Sequence, residues 1–304
     1  MNWKALLTSP PPVDAFALDD QALVFGRVAR GSRAMVRLEK SVISTSWYQI
    51  GPVGVLAVEH QVLGDALATV LKRLDRRPSR AHLVVPNEWV RSIVVDAGEL
   101  PRRREDAEDL VRWRLKKVLP CRPEDVRLDF IPGAANGNVL VVLTLDRPLQ
   151  VVEEVFARAG VTLGQIEPRA LALTALLPAS TGPSMLATVE ERALALVLLA
   201  GGRVSLIRHK PLPADVARAE AFVIRELSRT LHHAREREGL AGPLLMRVAA
   251  TVPALAEAVR AWAAEQDRVE LFRLEVGDEL VAPVAGVAPL QAWSLYGTLA
   301  EGQQ

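Results

Sequence analysis

Two adjacent carboxylates, Glu190 and Glu191, are the residues best suited by type to acid–base chemistry. They fall between two apolar runs, 185–189 and 193–200. Neighbours on a strand point to opposite faces, so the pair reads as a turn rather than a catalytic couple. His232-His233 sits in a helical stretch and reads as solvated or capping surface. No H-x-x-x-H or C-x-x-C spacing supports a metal. Gly51-Pro52-Val53-Gly54 lacks the lysine and Ser/Thr of a phosphate-binding loop, and there is no G-x-S-x-G elbow. The single cysteine, Cys121, excludes an internal disulfide and a cysteine-rich zinc site. The sequence therefore names no catalytic residue and no metal ligand.

A recognition surface is better supported. In the stretch 100–127, LPRRREDAEDLVRWRLKKVLPCRPEDVR, helical period puts Ala107, Leu110, Val111, Leu115 and Val118 on one face. Arg102, Arg103, Arg104, Arg112, Arg114, Lys116 and Lys117 take the other faces. At ~100° per residue, Trp113 lies about 200° from Val111, off the apolar stripe. Acidic residues load the first turns and basic ones the last, as the helix dipole favours. Pro120 and Pro123 stop the helix. The basic face reads either as a solvated surface laced by pairs such as Glu108–Arg112, or as a contact for an acidic segment or an anionic leaflet. Exposed tryptophan beside arginine is typical of binding hot spots, so Arg112, Trp113 and Lys116 are candidate partner residues. The rival is that Trp113 packs on a neighbouring strand as core.

The elements around this helix follow from period and turn chemistry. Residues 13–40 read as three strands, with turns at Asp19-Asp20 and Arg30-Gly31-Ser32. A further strand is expected near 53–58, a helix at 62–74, and strands at 81–86 and 90–96. After the basic helix come strands 126–131 and 139–145, a helix 148–159 capped by Gly160, a strand 161–166 and a helix 167–177. Thr181-Gly182-Pro183 marks a boundary. The three-strand opening then repeats at 185–189, 193–200 and 203–209, with Gly201-Gly202 as the hairpin turn. A helix 215–238 ending at Gly239 (with Phe222, Leu227 and Leu231 buried), a strand 244–249, a helix 253–266, a strand 269–274 and a closing helix complete the chain. The first 12 residues, with three prolines in a row, read as a frayed arm or a docking peptide.

The chain has 304 residues and 50% hydrophobic content, enough for a two-domain protein with sizeable cores. A net charge of +1 gives no bulk argument for nucleic acid or an anionic surface. No stretch of ~20 apolar residues and no signal-peptide layout is present, so a membrane role is expected to run through a partner.

The segment RWRLKKVLPCRPEDVRLDF resembles a motif of PilM-family pilus assembly proteins, roughly R-W-E-A-x-x-x-I-P-x-x-x-E-x-V-x-x-D. Arg112, Trp113, Leu119, Pro120, Glu124, Val126 and Asp129 match it; Arg114 replaces its acidic residue. The stretch IEPRALAL is similar to a second PilM pattern. The resemblance implies an α/β, actin-like (ASKHA) two-lobed fold with an insert of the 1C type in the first lobe. It implies boundaries of 13–98 and 167–182 for the first lobe, 99–166 for the insert and 183–304 for the second lobe, after an arm of 1–12. It also implies a cytoplasmic scaffold of a type IV pilus or related type II secretion machine, peripheral to the inner membrane. Its partner would be the cytoplasmic tail of a PilN-like membrane protein, held between subdomains 1A and 1C.

Members of that fold that hydrolyse ATP cradle its phosphates on glycine-bearing turns, each with an aspartate that organises magnesium. The matching turns here are degenerate. FALDDQALVF puts Ala17 or Asp19 in the aspartate place and Asp19 or Gln21 in the glycine place. ATVEERAL puts Thr188 and Glu190 there, and Ala249-Ala250 replace a glycine pair. Asp19, Gln21 and Glu190 are thus weak nucleotide positions at most. The expectation is a pseudo-ATPase without cofactor, similar to GspL-type cytoplasmic domains. The alternative is an active ATPase of the PilM/FtsA type with atypical loops, binding ATP and magnesium.

Overall fold

A computed structural model describes residues 12–31, 34–132, 137–180, 182–190, 192–236 and 242–301. The expected features at residues 1–11, Ser32, Thr181, Glu191 and Gly239 lie outside these.

The opening hairpins form as expected: β1 (Asp14–Leu18), β2 (Ala22–Val28) and β3 (Met35–Val42). A short hairpin follows, β4 (Tyr48–Gly51) and β5 (Gly54–Val58), then α1 (His60–Lys72), β6 (Arg80–Val85) and β7 (Arg91–Asp96). Next come α2 (Arg104–Leu115), β8 (Val126–Pro132), β9 (Asn138–Leu145), α3 (Asp146–Arg158), β10 (Thr162–Pro168) and α4 (Arg169–Thr174). The second half contains β11 (Ser184–Val189), β12 (Ala193–Ala200), β13 (Arg203–Pro211), α5 (Val216–Glu236), β14 (Leu244–Ala250), α6 (Pro253–Ala264), β15 (Val269–Arg273) and α7 (Pro289–Glu301).

The repeat read from the hairpins is present. One five-stranded sheet runs β3-β2-β1-β6-β10 and the other β13-β12-β11-β14-β15. In each, three antiparallel strands are followed by two strands parallel to the first. Gly201 and Gly202 both have positive φ, the backbone that a tight two-residue hairpin requires.

Strand alternation sorts large from small. Phe16, Leu18, Leu23, Phe25 and Leu83 face α1 and α3. Ala15, Ala17, Ala22 and Val24 face Ala172 of α4 and Leu295, Tyr296 and Leu299 of α7. Small residues on that face let the two helices lie close. In the second lobe, Met185, Leu194, Leu196 and Leu198 pack on α5 and α6. The opposite face (Leu186, Ala195, Val197, Leu199) meets Leu173 and Leu290, so the lobes share a core.

Four boundaries differ from the sequence reading. β7 pairs antiparallel with β9, from Arg91 opposite Leu143 to Asp96 opposite Asn138, so it belongs to the inserted sheet β7-β9-β8. β10 pairs with β6, and α3 packs in the first-lobe core, so neither belongs to the insert. The insert therefore spans roughly β7 to β9, with α2 covering its sheet through Ala107, Val111 and Leu115. The closing helix α7 packs mainly on the first lobe rather than the second, which it touches through Leu290 and Trp293. Val118 is exposed because the helix ends at Leu115, and Leu110, at the margin of the buried Ala107, Val111 and Leu115 stripe, is half-buried. Phe222 is half-buried at the core margin rather than inside it.

Candidate functional site

The three degenerate turns meet where the lobes face each other. At the β1–β2 turn, the Asp19 carboxylate accepts from the Gln21 N–H (2.8 Å) and the Asp19 N–H donates to Ala22 O (3.0 Å). Burial pushes the Asp19 carboxyl up, against the Gln21 hydrogen bond and the Arg169 charge. At the β11–β12 turn, the Glu190 N–H donates to Ala193 O (2.8 Å), and the Thr251 N–H, after the Ala249-Ala250 pair, donates to Val189 O (2.9 Å). These backbone donors are consumed within the protein.

Arg169, at the start of α4, joins the two lobes. Its Nη1 donates to Glu190 Oε2 at 2.7 Å and its Nη2 to Leu18 O at 3.4 Å. Its side chain is 8% exposed and that of Glu190 24%. A buried guanidinium thus bridges the two turns. Sequence reasoning passed Arg169 by, because nothing local marks an arginine whose partner lies in the other sheet.

A second concavity lies between the first-lobe sheet and the insert. It holds about 330 Å³ and is walled by β10 (Leu163, Gly164, Ile166) and β8 (Arg127, Leu128, Asp129). Both strands are edges of their sheets, so each carries backbone groups that no neighbouring strand pairs. Trp89 and Thr144 contribute to the floor. Both are buried, and the indole Nε1 and the Thr144 hydroxyl have no hydrogen-bond partner. Arg127 is held by Glu153 (2.6 Å) and Asp146 (2.7 Å), which raise its pKa, the Glu153 hydrogen bond most. Arg104 and Asp129 pair at 2.7 Å on the exposed rim, a contact worth little in stability. The result is a trough of mixed apolar and charged lining, edged by two strands each open on one side, a shape that suits an extended peptide.

The candidate partner residues do not line this trough. Trp113 is 58% exposed, off the stripe as expected, with the Arg114 guanidinium 5.0 Å from its ring centroid. Core packing of Trp113, the rival reading, is not what the structure shows. Lys116 is exposed. Arg112 is taken up structurally: it pairs with Glu108 (2.8 Å) and donates to Pro123 O and Val126 O, fastening α2 to the start of β8. Trp113→Ala is accordingly expected to move the melting temperature by no more than roughly 1–2 °C, a surface-substitution effect, in a thermal melt.

Among the described residues no group of three or more His, Cys, Asp or Glu side chains is placed to hold a metal ion, and no helix is long and apolar enough to cross a membrane.

Comparison with solved structures decides the architecture. A chain of the PilM-PilN type IV pilus biogenesis complex matches over 97% of this chain and 98% of its own, with a TM-score of 0.69 at 18% identity. A Bacteroides thetaiotaomicron protein of unknown function, described as having an actin-like ATPase fold, matches 85% of this chain and 90% of its own (TM-score 0.51, 11% identity). The fold is actin-like. The cytoplasmic domain of EpsL, an inner membrane component of the Vibrio cholerae type II secretion system, shares this actin-like fold over 94% of both chains (TM-score 0.52, 10% identity). No protein-family model and no curated relative matches. The fold implied by the segment around Trp113 thus agrees with the structural likeness.

Proposed function

We propose that this chain is a scaffold of a type IV pilus or related secretion machine, and that its trough binds the cytoplasmic tail of a PilN-like inner-membrane protein. The observation that carries the reading is the trough itself. Two edge strands, apolar side chains such as Leu163 and Ile166 and the charged rim of Arg104, Arg127 and Asp129 give an extended segment backbone, apolar and polar contacts together. The likeness to a chain of the PilM-PilN complex supports it. In this reading the inserted sheet and α2 are the 1C-type subdomain, and the protein sits at the cytoplasmic face of the inner membrane through its partner.

The residues at the turns do not fit a triphosphate with magnesium. The Glu190 carboxylate stands where glycine belongs, the hairpin N–H groups are already bonded, and Arg169 closes the gap between the turns. The scaffold therefore works without ATP hydrolysis. Support for the ATPase alternative is limited to the fold it shares with such enzymes.

The test is a titration of a labelled peptide carrying a PilN-like cytoplasmic tail. Low-micromolar binding is expected, with a loss of roughly 30-fold or more in Leu163→Asp, which puts a charge on the apolar wall, an effect of about 2 kcal/mol. Leu163 is half-buried on an edge strand, so the fold should hold. Trp113→Ala should bind as the unmodified chain does. Equal affinity in Leu163→Asp would move the partner site elsewhere. The same preparation is expected to release no phosphate from magnesium ATP above a protein-free blank.

A further inference from the structure

A further concavity lies where the insert meets the second lobe. It holds about 540 Å³, within the range of small-molecule sites. Arg91 enters from β7, Arg208, His209 and Lys210 from the edge strand β13, and Glu226 and Arg229 from α5. The Ser92 hydroxyl donates to Ile207 O (2.6 Å) and ties the two walls together, so the cavity is built by the fold rather than by loose side chains.

Its charge is unbalanced. Glu226 is the one carboxylate in the lining; it is buried and already taken by Arg229 (3.1 Å) and Arg225 (3.7 Å). Arg91 donates to Pro52 O (3.2 Å), a neutral acceptor. Arg208 and Lys210 have no ion-pair partner among the described residues. Burial pushes the His209 imidazole down, against the Glu88 carboxylate 3.9 Å away, and its Nε2 has no hydrogen-bond partner. With Arg229 balanced by Glu226, three cations remain in excess, Arg91, Arg208 and Lys210, and their convergence on a concave space raises its potential until an anion enters. Guanidinium forks and an ammonium match phosphate oxygens in both charge and geometry.

We propose that this cavity is a metal-independent binding site for a small phosphate-bearing anion. Here arginine and lysine side chains supply the positive charge that glycine turns and magnesium would supply elsewhere in this fold, and they supply it from a different place. The site stands independently of the peptide trough, although Val90 and Pro168 line both cavities.

The experiment uses the full chain and sodium pyrophosphate at constant ionic strength, without divalent metal. The melting temperature should rise saturably by a few degrees, with a midpoint below about 1 mM. In Arg208→Ser/Lys210→Ala, both surface-accessible positions, the basal melting temperature should be unchanged and the midpoint should move at least tenfold higher. If that double variant is poorly folded, Arg91→Gln serves in its place, with a weakening of at least threefold expected. The proposal is overturned if no saturable rise occurs, if the variants titrate like the unmodified chain, or if sodium chloride at matched ionic strength gives the same rise.

Discussion

Replacing Arg169 with alanine is expected to lower the melting temperature by roughly 6–12 °C, the equivalent of about 3 kcal/mol. The substitution removes the guanidinium that Glu190 and Leu18 O share. Glu190 is then left mostly buried and without its counter-charge, and that uncompensated charge dominates the cost. Removing the acid instead should cost as much: Glu190→Gln keeps an acceptor for Arg169 but strands the more deeply buried guanidinium without its counter-charge, a loss of about 3 kcal/mol. Exchanging both for apolar residues, Arg169→Met with Glu190→Leu, should recover much of the loss, because no lone charge remains. Thermal melts of that double variant, of the singles Arg169→Met and Glu190→Leu and of the unmodified chain form a double-mutant cycle, and the expected signature is strong non-additivity. Additive losses, or a change below about 1 °C in Arg169→Ala, would show that the bridge contributes nothing.

Gly297→Ala carries the other large effect, and its sign is the point. Within a helix, glycine to alanine normally gains about 1 kcal/mol. Gly297 lies in α7, where α7 crosses α4, and an added Cβ would land on the carbonyl oxygen of Ala172 and 2.9 Å from its carbon. Backbone cannot swing aside as a side chain can, so one helix must lift off the other. Overpacking of this kind costs typically 1–3 kcal/mol and sometimes more. We expect a net loss of about 2–3 kcal/mol, read as a lower denaturation midpoint. The control is Gly64→Ala in α1, where the new methyl would find only Val155 Cγ1 at 4.0 Å. That variant should be neutral or stabilised by up to about 1 kcal/mol. Stabilisation by both would mean that α7 and α4 are not in close contact.

The sequence made some of this legible and hid the rest, for reasons that residues illustrate. The two opening sheets could be read because alternation and turn chemistry are local: Asp19-Asp20 and Gly201-Gly202 announce the hairpins they make. Trp113 could be placed off the apolar stripe by helical period alone, and it is exposed. The β4–β5 hairpin was half seen, because Tyr48–Gly51 is four residues long with a mixed burial pattern. Sheet membership was not legible. β7 pairs with β9 rather than with a strand of the first sheet, and nothing in Arg91–Asp96 states which partner it will find. The same holds for the bridge between the turns. Arg169 and Glu190 are 21 residues apart, in different sheets, and only the folded chain brings them together. Nor were the walls of the trough legible, because they depend on which edges β10 and β8 leave open.

The return of α7 to the first lobe has a consequence for how the protein is made. Leu295, Tyr296 and Leu299 close one face of the first-lobe sheet, yet they are synthesised after all five strands of the second. At ~5–20 residues per second, the roughly 120 residues between Pro168 and Pro289 take roughly 6–24 s to emerge from the ribosome. For that interval the nascent first lobe shows a sheet face of Ala15, Ala17, Ala22 and Val24 that only the short α4 partly covers. That face is built from small residues, which offer a weak foothold to a stray hydrophobic chain. The larger side chains, Phe16, Leu18 and Phe25, point to the side that α1 and α3 have already sealed. Vectorial synthesis therefore leaves the less sticky half of the first lobe waiting.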